Sequence, residues 1–248
     1  MMSGMFMFQV QATDMPDRDS DAWNGIGVGK GSIPPNQGIK GWFRDNRNWF
    51  ESIKGTSQDG IVFVGDSIFG NMGANPENTS RYFPGYRIVN RAIGGDTTRG
   101  TLWRLQEDAL DLNPKALVIL IGSNDLSAHA KKEDGVVDNI KSILDKATAA
   151  KPDMPIILCT ILPRKSNTAP IDNQWLLDVN DGIRALASEK NVTIVDLYSL
   201  FLTAPDAVNE PNPELFEKDL LHVNKTSGYP KIAEALIPVF EKLGLPKN

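Results

Sequence analysis

The residues able to act as a base near neutral pH are few, and their positions are informative. Only two histidines occur in 248 residues, His129 and His222, and Asp219 stands three positions before the second. An aspartate at this spacing can accept the Nδ1 proton of the imidazole, which leaves Nε2 free to act as a base. Ser67 supplies a hydroxyl that such a base can activate. We therefore expect Ser67, Asp219 and His222 to form a Ser/His/Asp set for nucleophilic catalysis.

An alternation of apolar runs and helical patterns predicts the elements that position these residues. The apolar runs lie at 61–64, 87–90, 116–121, 155–160 and 192–195, and the helical patterns at 98–110, 133–149, 173–189 and 227–243. Runs that are apolar on both faces are typical of strands covered by helices on two sides. The pattern predicts an α/β fold, a three-layer α/β/α sandwich with a five-stranded parallel sheet.

The segments that follow the first three runs contain candidate catalytic groups. In open α/β sheets, ligands bind beyond the carboxyl ends of the strands. Gly65-Asp66-Ser67 follows the first run, Gly94-Gly95 the second, and Gly122-Ser123-Asn124-Asp125 the third. They offer a hydroxyl, a bare glycine backbone and a side-chain amide, and a developing oxyanion needs such N–H donors. Each segment taken alone is more typical of a helix cap or a turn, so only their combination favours catalysis.

The amino-terminal part of the chain follows a different pattern. Residues 1–41 are expected to form a poorly structured arm, because residues 11–41 are rich in Gly, Asp and Pro, and residues 42–248 a single domain. Aromatic residues at helical spacing predict one amphipathic helix that packs on the core; they are Trp42, Phe43, Trp49 and Phe50. Residues 1–10 are apolar but lack the basic start of a complete signal peptide, so the localisation stays open.

Composition argues against several classes of function. The net charge is −5, which does not suit a nucleic-acid-binding surface. No apolar run has the length that crosses a bilayer. Two histidines and a single cysteine, far apart in sequence, give no spacing typical of a metal site. We expect no cofactor.

The motifs together resemble those of a known family. Gly65-Asp66-Ser67-Ile68, the Gly94-Gly95 loop, Gly122-Ser123-Asn124-Asp125 and Asp219-x-x-His222 resemble the four blocks of the SGNH (GDSL-type) hydrolases, in the same order. The stretches Gly94–Arg99, Leu102–Leu105 and Leu162–Arg164 are similar to the branch of platelet-activating-factor acetylhydrolases and carbohydrate esterases. The resemblance covers roughly residues 61–243. Ile68 and Ala92 depart from the residues common in the family, at positions that need not do chemistry.

The resemblance implies a flavodoxin-like sheet and ester hydrolysis through an acyl-enzyme. It makes Ser67 the nucleophile, His222 the general base and then general acid, and Asp219 the residue that orients the imidazole. The oxyanion hole would consist of the N–H groups of Ser67 and Gly95 and the side-chain amide of Asn124. Two neighbours are expected only to support the turns; they are Asp66 and Asp125.

We therefore predict a serine esterase that hydrolyses short-chain, acetyl-type carboxylic esters, with acetylated carbohydrates among the candidate substrates. Trp23 and Trp103 are candidate faces for stacking on a sugar. Two alternatives stay open: an acyltransferase that moves the acyl group to a sugar hydroxyl, and a non-catalytic carbohydrate-binding relative. The sequence does not decide whether the chain forms a homo-oligomer.

Overall fold

The computed structural model describes residues 37–73, 79–126, 135–165 and 172–247. Residues 1–36, which make up most of the expected arm, lie outside the described residues, and so do Trp23 and His129. No helix in the described ranges is long and apolar enough to span a lipid bilayer.

Strands and helices alternate along the described chain, as the sequence predicts. The strands are β1 Ile61–Gly65, β2 Ile88–Asn90, β3 Ala116–Leu120, β4 Ile156–Cys159 and β5 Val192–Val195. The helices are α1 Gln37–Ser52, α2 Ser67–Gly70, α3 Thr98–Asp108, α4 Val136–Ala150, α5 Asn173–Ala185, α6 Leu197–Leu200 and α7 Gly228–Lys242. The helical patterns in the sequence do not reveal the short helices α2 and α6, because four residues are too few to show a helical period.

All five strands are parallel and lie in the order β2-β1-β3-β4-β5, which confirms the predicted flavodoxin-like fold. β1 is the second strand in this order and pairs with both β2 and β3. The chain therefore winds to one side of β1 and then to the other. The segments that follow β2, β1 and β3 emerge side by side at the same edge of the sheet, where a ligand site is expected.

The core lies on both faces of the sheet. Ile61 and Phe63 of β1 pack on the side of α7, whereas Val62 and Val64 pack on the side of α3, α4 and α5. Every residue of β1 and β3 is buried. Strands held on both faces in this way form a rigid base for the turns at their carboxyl ends.

Helix α1 is the predicted amphipathic helix, and it docks beside the segment that follows β2. Phe43 and Phe50 pack against Ile93 in a small separate cluster. Arg47 forms a buried ion pair with Asp108 of α3, with Nε 3.1 Å from the carboxylate. α1 begins at Gln37, before the expected domain boundary at residue 42.

Candidate active site

The turn after β1 presents Ser67 at the start of α2. The Asp66 carboxylate accepts a hydrogen bond from the Ile68 N–H at 2.9 Å and so caps this helix. Gly65 must be a glycine, because a Cβ there would lie 2.2 Å from the Leu120 carbonyl oxygen. As the first helical residue, Ser67 has an N–H without an intrahelical acceptor.

The loop before α7 brings His222 to Ser67. His222 Nε2 lies 3.2 Å from Ser67 Oγ, and His222 Nδ1 lies 2.6 Å from Asp219 Oδ2. The other Asp219 oxygen accepts the N–H groups of His222 at 2.9 Å and Leu221 at 3.0 Å. The same carboxylate thus fixes both the loop and the imidazole, and the three residues expected to act together are in contact.

These contacts also set the charge of Asp219. Partial burial by itself raises the pKa of this carboxyl, but the hydrogen bonds from the His222 N–H, the His222 ring and the Leu221 N–H outweigh it. The pKa of Asp219 therefore lies below its usual range. The ionised carboxylate accepts the Nδ1 proton and so fixes the orientation of the imidazole ring.

A tight turn after β2 lies against Ser67. The Asp96 N–H donates to the Ile93 carbonyl at 3.1 Å, and Gly95 has φ +80°, which is typical of the third position of a type II turn. A side chain at Gly94 would come within 3.8 Å of Ser67 Cβ. The backbone of this turn is therefore next to the serine.

The loop after β3 adds the side-chain amide of Asn124 to the same turn. Asn124 Nδ2 donates one hydrogen to the Asp96 carbonyl at 2.8 Å, and an amide nitrogen carries a second hydrogen. The side chain is partly exposed, so the second hydrogen can meet a ligand. Together with the N–H groups of Ser67 and Gly95, it can surround a carbonyl oxygen that develops negative charge.

The buried carboxyl groups of Asp66 and Asp125 hold the turns after β1 and β3 in place. Asp125 accepts both the N–H of Thr98, at 3.0 Å, and its hydroxyl, at 2.6 Å, and so ties the loop after β3 to the start of α3. Burial raises the pKa of Asp66 to about 7 and that of Asp125 to about 6. Asp66 and Asp125 hold turns through these bonds, and among the hydrogen bonds of the described residues neither contacts His222 or Ser67 Oγ.

Sequence reasoning missed Arg104, which joins the segments around the site. Its Nε lies 2.7 Å from Asp96, and its Nη atoms donate to the carbonyls of Arg91 at 2.6 Å and Gly65 at 3.3 Å. Thr101 also donates to Asp96, at 2.8 Å. The signal was present in the polar residues Thr101, Arg104 and Asp108, which share the buried face of α3 at spacings of three and four.

A small pocket lies beside Ser67, between the ends of β3 and β4. It has room for about one water molecule. Its walls are mostly apolar, and the lining residues are Asp66, Ile68, Leu120, Ile121, Ser123, Ile161, Leu162, Arg164 and Leu221. Ile68 follows Ser67 and Leu221 precedes His222 in the chain, so direct neighbours of both residues line the pocket.

The sequence of this chain matches a known protein family. Residues 63–227 match the model of the GDSL-like Lipase/Acylhydrolase family. The chain belongs to this family. The GDSL-like match spans β1 to the loop before α7 and contains Ser67, Asp219 and His222, whereas α1 lies outside it. With the relatives described next, it identifies the chain as a serine ester hydrolase.

The GDSL-like chain is similar to relatives along most of its length. Platelet-activating factor acetylhydrolase IB subunit alpha2 of Homo sapiens is 30% identical over 202 residues, which are 81% of this chain and 83% of the relative. The structure of an acylhydrolase from Bacteroides fragilis has a TM-score of 0.68 and 26% identity, covering 79% of this chain and 96% of that one. A GDSL-like lipase from Bacteroides thetaiotaomicron has a TM-score of 0.65 and 25% identity, with coverages of 83% and 98%.

Proposed function

We propose that this acylhydrolase cleaves short-chain, acetyl-type esters through an acyl-enzyme formed on Ser67. The observation that carries the proposal is the line of contacts from Asp219 to His222 to Ser67, at 2.6 and 3.2 Å. These distances are within the reach that proton transfer from a nucleophile to its base requires.

In the first half of the reaction, Ser67 Oγ attacks the ester carbonyl and its proton passes to His222 Nε2. The carbonyl oxygen becomes an oxyanion, stabilised by the N–H groups of Ser67 and Gly95 and by the Asn124 amide. His222 then gives its proton to the leaving alcohol as the carbon–oxygen bond breaks. The acyl group remains bound to Ser67 as an ester.

In the second half, water takes the place of the alcohol. His222 accepts a proton from water, the hydroxide attacks the acyl carbon, and the proton returns to Ser67 Oγ as the carboxylic acid leaves. The side chains of His222 and Asp219 are 32% and 47% exposed. Solvent therefore reaches the base directly, which favours hydrolysis over transfer of the acyl group to a sugar hydroxyl.

The pocket beside Ser67 supports a short acyl group. Its space suits about one water molecule, which is close to the size of the methyl group of an acetyl ester. Ile68, Leu221 and Ile161 form apolar walls where a longer chain would have to pass. The human relative carries acetyl hydrolysis in its name, in agreement with this reading.

A panel of nitrophenyl esters from acetyl to dodecanoyl tests the proposal. We expect kcat/KM to be highest for acetyl and to fall steeply with chain length, and Ser67→Ala to lose activity by several decades. Leu221→Ala should shift the optimum toward butanoyl or longer esters, because the truncation enlarges the pocket. Leu200→Ala is a matched control, since Leu200 is exposed on α6 and does not line the pocket.

Four results would contradict the proposal. Full activity in Ser67→Ala would exclude the acyl-enzyme, and equal rates for acetyl and dodecanoyl esters would exclude the short-acyl pocket. Formation of a new ester in preference to acetate, when a sugar alcohol competes with water, would favour the acyltransferase. The absence of Ser67 labelling by a fluorophosphonate would favour a non-catalytic binding protein.

A further inference from the structure

A large exposed aromatic side chain lies next to the serine. Trp42 of α1 is 57% exposed, although its neighbour Phe43 is buried. A Cβ placed on Gly94 would lie 3.4 Å from the Trp42 indole nitrogen and 3.8 Å from Ser67 Cβ. The indole and the nucleophile therefore flank the same glycine.

Trp42 is held at this place by the packing of its helix. Phe43 and Phe50 pack on Ile93, the residue immediately before Gly94, and Arg47 pairs with Asp108 on α3. The backbone that carries Trp42 is thus fixed relative to the turn that follows β2. A tryptophan side chain has only two rotatable torsions, so it loses little conformational entropy when a ligand stacks on it.

The layout of the site assigns a side to each part of an ester. The pocket for the acyl group lies between the ends of β3 and β4, whereas Trp42 lies beyond Gly94, on the side of β2. When the carbonyl oxygen points to the amides of Gly95 and Asn124, the acyl carbon and the alcohol oxygen must extend in different directions from the attacked carbon. The alcohol portion of the ester would therefore lie on the side of Ser67 that Trp42 borders.

We infer that Trp42 is a specificity-determining residue which binds the alcohol portion of the substrate, and that this alcohol is a sugar ring. The inference rests on the proposed esterase function and deepens it. A pyranose presents a face of C–H groups that stacks on an indole, together with hydroxyls that can stay in contact with water. The sugar class follows from the single, flat, amphipathic surface that Trp42 offers.

Two observations favour a sugar ring bound by Trp42. A lipid alcohol would need a continuous apolar surface, but the large hydrophobic side chains exposed in the described ranges are only Trp42, Leu200 and Val208. Trp103, one of the two candidates that the sequence offers for stacking on a sugar, packs in the cluster around α1 with the Arg47 guanidinium 4.7 Å from its ring centroid.

The test compares two acetyl esters that differ only in the alcohol: an acetylated methyl xylopyranoside and ethyl acetate. The measured quantity is the ratio of kcat/KM for the sugar ester to kcat/KM for ethyl acetate. We expect Trp42→Ala to lower this ratio about tenfold and Trp42→Phe to restore part of it, because an aromatic face remains. Trp49→Ala is the matched control, since it removes an indole from the same helix away from Gly94, and its ratio should equal that of the wild type.

A binding measurement separates this inference from the esterase proposal. In the Ser67→Ala background, the dissociation constant of the acetylated xylopyranoside, measured by NMR titration, should rise about tenfold on adding Trp42→Ala. If the wild-type protein hydrolyses neither ester but binding of the xylopyranoside still depends on Trp42, the esterase proposal fails and the sugar site stands. An unchanged ratio, or an equal fall in kcat/KM for both esters, would overturn the role assigned to Trp42.

Discussion

The side-chain amide of Asn124 can both hold a loop of the site in place and donate a hydrogen bond to the substrate. One of its hydrogens is donated to the Asp96 carbonyl, which holds the loop after β3 against the turn after β2. The second hydrogen is the one that can meet an oxyanion. Because that contact strengthens only as negative charge develops on the substrate, its loss should affect the chemical step more than substrate binding.

We therefore expect Asn124→Ala to lower kcat by about two to three decades and to leave KM nearly unchanged. Steady-state kinetics with an acetyl ester measure both constants. A melting curve checks that the lost bond to Asp96 has not unfolded the loop. An increase in KM with kcat intact would mean that Asn124 only binds substrate.

Single residues could be predicted from the sequence where their type is rare or their spacing is diagnostic. The pairing of Asp219 with His222 follows from a three-residue spacing, and only two histidines compete for the role. Trp42 could be assigned to a helix but not to the site, because its place beside Gly94 depends on how α1 docks against Ile93. Such docking depends on side-chain packing between distant segments, which periodicity does not reveal.

At the scale of elements, the turn after β2 requires a glycine at position 95 because of its backbone conformation, and not because a side chain would lack room. Gly95 has φ +80°, and a Cβ added there would meet no atom within 4 Å. An alanine at this position is strained by its backbone alone, at a cost of roughly 1–2 kcal/mol. Relief of that strain would rotate the peptide that carries the Gly95 N–H, which is one of the proposed oxyanion donors.

Gly95→Ala should therefore lower kcat by at least tenfold while lowering stability modestly. Gly244→Ala is a matched control, because Gly244 also has a positive φ, +63°, and open space at its Cβ position, but lies after α7. Both variants should lose a similar free energy of unfolding in urea. If the two variants kept equal activity, the Gly95 N–H would have no part in the reaction.

The strands and long helices could be predicted because burial imposes a pattern on many residues at once. Their ends could not be predicted to the residue, since local caps and turns set them: the helix expected over 173–189 ends at Ala185 and continues as a 3-10 turn over Leu186–Ser188. The four-residue helix α2 depends on one cap, Asp66, and on the close approach of Gly65 to Leu120. That approach exists only once β1 and β3 are paired.

At the scale of the whole molecule, a group of buried charged residues from distant segments of the chain lies next to the site. Asp66, Asp96 and Asp125 are almost fully buried, and Arg104 and Arg164 lie among them. Burial raises the pKa of all three carboxyls. Removing an ion from water costs several kcal/mol, so these groups make the stability of the fold sensitive to pH. The sequence shows which residues are acidic, but it does not show how deeply they are buried, because their burial depends on the complete sheet.

Asp66 gives the clearest test of this sensitivity. Burial raises its pKa from 3.8 to about 7. The charges of Asp96 and Asp125 add to this rise, whereas the hydrogen bond from the Ile68 N–H opposes it strongly and the charge of Arg164 opposes it more weakly. Between these two values the folded chain holds a proton that the unfolded chain has released, so the contribution of Asp66 to stability falls as pH rises from about 4 to about 7.

Asp66→Asn should remove that dependence, because an asparagine can accept the Ile68 N–H without carrying a charge. We expect the free energy of unfolding of the variant, relative to that of the wild type, to be higher at pH 8 than at pH 5 by roughly 2–3 kcal/mol. Urea unfolding at the two pH values measures the difference, with Asp153→Asn as the control at a 94% exposed side chain. A constant difference between the two proteins would mean that Asp66 is ionised in the fold throughout this range, with its charge fully compensated by Arg164 and the Ile68 N–H.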